Sequence, residues 1–186
     1  MRVELIGYRN NWIHVVNSAH TTVGKDSIDK ENPSSTFKKQ ILLAEHSPIR
    51  QLIFRFRWYD IPSWVSVHFV RHKVGIEHFV RSQRTDRTGI DRNELKQSEL
   101  VDHEILVNAQ AMITISRKRL CTKASYETKQ AWIALLETIK GIEPELYSVC
   151  VRECVYRGFC PEFKSCGSNL IPAYTSDMER YHLTKI

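Results

Sequence analysis

Residues 70–84 read Val70-Arg71-His72-Lys73-Val74-Gly75-Ile76-Glu77-His78-Phe79-Val80-Arg81-Ser82-Gln83-Arg84. These fifteen positions hold four cations (Arg71, Lys73, Arg81, Arg84), together with His72, His78, Glu77 and Ser82. Clustered like charges repel and are costly to strip of water, so a fold gains little from them. A polyanionic ligand offsets that cost. The cluster follows Trp64, Val65, Val67, Phe69 and Val70, an apolar run suited to a core. The charges therefore stand where a core element emerges into a site. Asp60-Ile61-Pro62 opens that element as a helix, with Pro62 near its first turn, and it delivers Arg71-His72-Lys73 at its end.

On the N-terminal side, residues 50–58 alternate: Leu52, Phe54, Phe56 and Trp58 on one side, Gln51, Ile53, Arg55 and Arg57 on the other. That is a strand with one face on helices. Residues 2–8 read as a strand and 11–20 as a helix; 22–36 read as a loop, with Ser34 or Ser35 capping a helix over about 36–45. On the C-terminal side, residues 85–100 are polar. A helix is predicted over about 101–120 and another over about 124–140, the latter with Ala124, Thr128, Ala131, Trp132, Leu135 and Ile139 at helical spacing. Gly141 stops it, and Pro144 begins a shorter helix.

The central segment resembles the signature of flavin-dependent thymidylate synthases, which carry Arg-His-Arg, a spacer, then Ser-x-Arg. Here these parts read Arg71-His72-Lys73 and Ser82-Gln83-Arg84. Lysine replaces the second arginine, and the spacer of eight residues is one longer than the family's. Other segments follow the family's order: Arg2-Val3-Glu4-Leu5-Ile6-Gly7-Tyr8 as its opening strand, Glu45-His46 with the strand after it, and Val107-Asn108-Ala109-Gln110, Arg117-Lys118-Arg119-Leu120 and Ala124-Ser125-Tyr126-Glu127-Thr128-Lys129 in its C-terminal helices. The likeness runs from about residue 2 to about residue 148. Residues 1–148 are thus expected to form the family's domain and 149–186 a Cys-rich extension.

The resemblance implies an α/β (α+β) fold, an antiparallel sheet packed by helices, in a homotetramer whose pockets draw on several subunits. The connection after Arg84 looks short, and the part it lacks usually adds strands. The activity implied is methylation of dUMP at C5 to dTMP. Methylenetetrahydrofolate supplies the carbon, reduced FAD the hydride, and NADPH reduces the flavin. Arg71, His72 and Lys73 would lie along the flavin, with His46, Glu77, Arg117 and Lys123 around it. His68, Ser82, Arg84 and Lys129 would hold the nucleotide. Arg71, His72 and Arg84 would carry catalysis. Each residue also has a plainer reading: His46 as a structural histidine, residues 117–119 as a solvated helix face, and Lys123 with Glu127 as a surface ion pair.

A chain of 186 residues with 42% hydrophobic and 26% charged residues can bury a core. No apolar run is long enough to span a bilayer, and Met1-Arg2-Val3-Glu4 lacks a signal-peptide core, so a cytoplasmic protein without a membrane partner is expected. The net charge of +6 suits a solvated basic surface, nucleic acid or anionic small ligands; the last fits the clustering best, so nucleic acid is not the expected partner. Two alternatives stay open: a sibling enzyme acting on another pyrimidine nucleotide, and a non-catalytic nucleic-acid-binding protein on the same scaffold. In the tail, Cys150, Cys154, Cys160 and Cys166 have the ligand chemistry of zinc or an iron–sulfur cluster, although the spacing is not that of a standard knuckle. Packing of reduced thiols is the competing reading.

Overall fold

The computed structural model describes residues 1–29 and 32–182. Its centre is a four-stranded antiparallel sheet in the order β1-β2-β4-β3, built from β1 (Arg2–Arg9), β2 (Ile53–Pro62), β3 (Ile76–Val80) and β4 (Leu100–Asn108). Helices α1 (Trp12–Thr22), α2 (Ser35–Leu43), α3 (Ser63–Val70), α5 (Ala109–Arg119) and α6 (Tyr126–Ile139) pack with it, and short α4 (Thr85–Thr88) lies in the polar connection. The last segments are α7 (Pro144–Val149), α8 (Glu153–Arg157) and α9 (Pro172–His182). No helix among the described residues is long and apolar enough to cross a membrane.

The expected alternation sets the sheet's inner face. Phe54, Phe56 and Trp58 of β2 are fully buried, while Arg55 and Arg57 cross to Glu104 and Asp102 on the other face. On α6, Trp132 packs 5.9 Å from Phe69 and 6.4 Å from Trp58, ring centre to ring centre. Its indole N–H donates to Ser116 Oγ at 2.9 Å, and the Trp58 indole donates to the Ala131 carbonyl at 2.9 Å. Large aromatics can be buried this deeply because each N–H finds an acceptor. Glu143, 2% exposed, accepts from Tyr8 Oη and from Trp12 Nε1, joining the start of the chain to the α6–α7 turn.

The helix expected over about 101–120 is corrected. Residues Leu100–Asn108 form β4, and the helix starts only at Ala109. Val101, His103, Ile105 and Val107 are buried at every second position, the period of a strand. Asn108 makes the break: its side chain accepts from the Ala111 N–H at 2.9 Å and caps α5. The start of α3 shifts slightly too, since Pro62 ends β2 and the helix begins at Ser63. Two of its early N–H groups, those of Ser63 and Trp64, donate to the carbonyls of Glu99 and Gln97 in the polar connection. The helix after the early loop runs over Ser35–Leu43 and is capped by Ser34, while Lys30 and Glu31 of that loop lie outside the described residues.

Candidate functional site

Helix α3 is held against the sheet by Val65 and Phe69 and ends at Val70, so Arg71 to Gly75 form a turn at its C-terminus. The His72 N–H donates to the Phe69 carbonyl at 2.9 Å. Gly75 has φ of +72°, which glycine adopts without steric penalty. Its carbonyl accepts from the Asn108 N–H at 2.9 Å, and a Cβ there would sit 2.6 Å from Asn108 Nδ2. The turn is therefore pressed onto the cap of α5. Gly75→Ala is expected to destabilise the protein by about 1–3 kcal/mol, from the left-handed backbone and the displaced cap. Urea denaturation checks this.

Between turn and helix lies a cleft of about 630 Å³. One wall is Arg71, His72, Lys73 and Val74, the other Gln110, Ala111, Thr114 and Ile115, and Arg50 enters from the short 3-10 turn before β2. Arg50, Arg71 and Lys73 are exposed and make no ion pair among the described residues. Behind them, Arg119 donates from Nε to His72 Nε2 at 2.9 Å and from a terminal nitrogen to the His68 carbonyl. Burial, then the Arg119 charge, then His78 push the His72 imidazole down to about 4. The ring is thus neutral at pH 7, with its proton on Nδ1. His68 is also lowered, by burial and by Arg119 and Arg71. Its Nδ1 lies 2.9 Å from Thr128 Oγ1, which accepts from Ser125 Oγ at 2.7 Å.

The residues expected to act together fall in several places within one chain. Arg71, His72 and Lys73 share the cleft, with His68 behind them. Glu77 is exposed on β3. Ser82 lies beyond β3, in a separate hollow of about 470 Å³ with Arg81, Gln83 and Arg87. Arg84 is beside it, in an exposed ion pair with Asp86 at 2.9 Å. His46 is exposed and lines a third hollow with Phe37 and Pro48. Arg117 is occupied elsewhere: it pairs with Glu45 and lies 3.5 Å over the Tyr156 ring. Lys123 is exposed in the α5–α6 turn, and Lys129 is half-buried on α6 beside Thr128. Sequence reasoning missed Arg50, Asn108, Arg119 and His103 at this site. Only Asn108, a good capping residue before an apolar run, and His103, in phase with buried Val101 and Ile105, carried a signal.

The four tail cysteines named as metal ligands do not come together as one group in the structure. Among the described residues no group of three or more His, Cys, Asp or Glu side chains could hold an ion. Cys150 is buried, and burial pushes its thiol up to about 12. Cys166 is exposed, and hydrogen bonds with Ser168 and Thr122 bring it down to about 7. The tail is held instead by apolar packing: Val149, Cys150, Val151, Val155 and Tyr181 belong to the main core.

No protein-family model and no curated protein matches this sequence. Solved structures match its fold. The flavin-dependent thymidylate synthase ThyX from Helicobacter pylori, complexed with FAD and dUMP, matches with a TM-score of 0.67 at 13% identity, over 82% of this chain and 100% of that one. A second H. pylori ThyX structure with FAD and dUMP, at 2.31 Å resolution, matches with a TM-score of 0.66 at 13% identity, over 81% and 99%. The chain has the ThyX fold. In this fold the expected antiparallel sheet packed by helices is present, and Arg71-His72-Lys73 stands where α3 meets the cleft. The polar connection after Arg84 holds α4 and turns but no strand before β4.

Proposed function

We propose that this chain is a flavin-dependent enzyme acting on a pyrimidine nucleotide, with dUMP as first candidate and FAD held against the Arg71–Gly75 turn. The observation that carries this reading is the unpaired cationic wall of the cleft on a ThyX fold. The residues suit such a cofactor. Arg50, Arg71 and Lys73 offer charge to a pyrophosphate, His72 offers its Nδ1–H, and Val74, Ala111 and Ile115 offer apolar surface to a ring. FAD, when bound, supplies the hydride that methylenetetrahydrofolate chemistry requires, and NADPH is the proposed electron source. Arg71 and Lys73 then stabilise negative charge close to them, and neutral His72 donates a hydrogen bond without adding repulsion. Ser82 and Arg84 would meet the nucleotide across a subunit boundary in a homotetramer, because one chain separates them from the cleft. A different pyrimidine nucleotide is the second reading, favoured by Lys129, whose point charge cannot give an arginine's two-pronged contact, and by the occupied Arg84.

The purified protein is expected to be yellow, or to quench FAD fluorescence on titration. Arg71→Ala with Lys73→Ala should weaken FAD binding at least about tenfold, since each lost charge-assisted contact is worth about 1.5–3 kcal/mol. Colourless protein without quenching would refute the reading. Product assays with dUMP and dCMP then separate the two substrates.

A further inference from the structure

A string of hydrogen bonds runs from the core to the main chain of the turn. Ser66 Oγ on α3 lies 3.1 Å from His103 Nδ1 on β4. His103 Nε2 lies 3.0 Å from His78 Nδ1 on β3, and His78 Nε2 lies 2.9 Å from the carbonyl of His72. Ser66 and His103 are buried, at 3% and 0% exposure. A carbonyl only accepts, so His78 must carry its proton on Nε2. In a neutral ring Nδ1 is then bare and accepts from His103 Nε2–H. That leaves His103 Nδ1 to accept from the Ser66 hydroxyl. With both rings neutral, only this order satisfies every contact.

Neutrality follows from the surroundings. Burial, and then His78, push His103 down to about 3, and burial lowers His78 as well. The string ends on a main-chain carbonyl, which cannot pass a proton on, so it is a tether and not a conduit. Burying two imidazoles costs desolvation that an apolar pair would avoid. What the polar pair adds is a fixed address for one carbonyl, that of His72. From the other side Arg119 holds the His72 ring. Backbone and side chain of the same residue are thus fastened from two directions.

We propose that His78 and His103, backed by Ser66, are positioning residues: they hold the Arg71–Gly75 turn so that its cations and the His72 ring Nδ1–H face the cleft ligand. The tether is independent of what the ligand is; only the choice of FAD as probe rests on the function proposed above. The test compares wild type, His78→Phe and His78→Gln. Phenylalanine fills the space without a donor, whereas glutamine returns an N–H near the Nε2 position. Amide hydrogen exchange should rise about tenfold or more at residues 72–75 in the Phe variant and return close to wild type in the Gln variant, as expected for loss and recovery of one hydrogen bond of about 1–1.5 kcal/mol. FAD affinity should follow the same order. Nitrogen-15 spectra of the wild-type imidazoles at pH 7 should show His78 and His103 as neutral Nε2–H tautomers. Unchanged exchange in the Phe variant, or an Nδ1–H tautomer at His78, overturns the proposal. If exchange rises in the Phe variant but wild type binds no FAD, the tether stands and the cofactor assignment fails.

Discussion

Trp132→Ala is expected to destabilise the protein by about 3–5 kcal/mol, the usual cost of emptying a large aromatic site. The Trp132 ring is fully buried against the stacked pair of Trp58 and Phe69. Phe69 belongs to α3, and that helix delivers the turn, so the cavity would open directly beneath the site. The indole N–H is lost as well, leaving the buried Ser116 hydroxyl without its donor. Against a typical total of about 5–15 kcal/mol, this loss leaves little margin. Urea denaturation should show the midpoint drop with an unchanged slope. Trp132→Phe, which keeps most of the volume, should lose less than half as much. Equal midpoints for wild type and the alanine variant would contradict the packing described.

Acid should destabilise the fold steeply through its neutral histidines. His72 sits at about 4 and His103 at about 3 in the folded chain. In the unfolded chain each returns to about 6.5. Between these limits the unfolded chain binds more protons, so stability falls as pH falls. The loss begins as pH drops below about 6.5 and ends only when the folded rings also protonate, near the values above. A fully shielded group contributes at most about 1.4 kcal/mol per pH unit across that window; buried His103 comes nearest this limit, and half-buried His72 contributes less because water screens its charge. Above about pH 7 these groups contribute no slope. Urea midpoints from pH 7.5 to 5 should trace this curve, and His103→Leu should flatten it. A wild-type midpoint constant over that range would refute the neutral assignment.

The elements legible in the sequence were those with an unambiguous period. Phe54, Phe56 and Trp58 could only be one face of a strand, and Ala131, Trp132, Leu135 and Ile139 one face of a helix. β4 was misread because Val101 and Ile105 also satisfy four-residue spacing, and α5 follows without a loop. β3 gave no strand signal: it is an edge strand of five residues in which only Ile76 is buried, and its charges pointed to a site instead. The cation cluster was visible because charge is local information. Its supports were not. His78 and His103 lie 25 positions apart and meet only because β3 pairs with β4 so that Val80 faces His103, making His78 its diagonal neighbour. No composition or spacing rule encodes a strand register. The tail cysteines show the same limit: they are close along the chain, while folding buries Cys150 and exposes Cys166.

Helix α5 serves two parts of the molecule at once. Its first half walls the cleft with Gln110, Ala111 and Thr114, and its last turns grip the C-terminal segments, Arg117 against Tyr156 and Lys118 near Glu153. An eleven-residue helix is a stiff rod about 16 Å long. Such a rod carries position along its length, so the wall it offers to a ligand is set partly by contacts at its far end, made by residues that never touch that ligand.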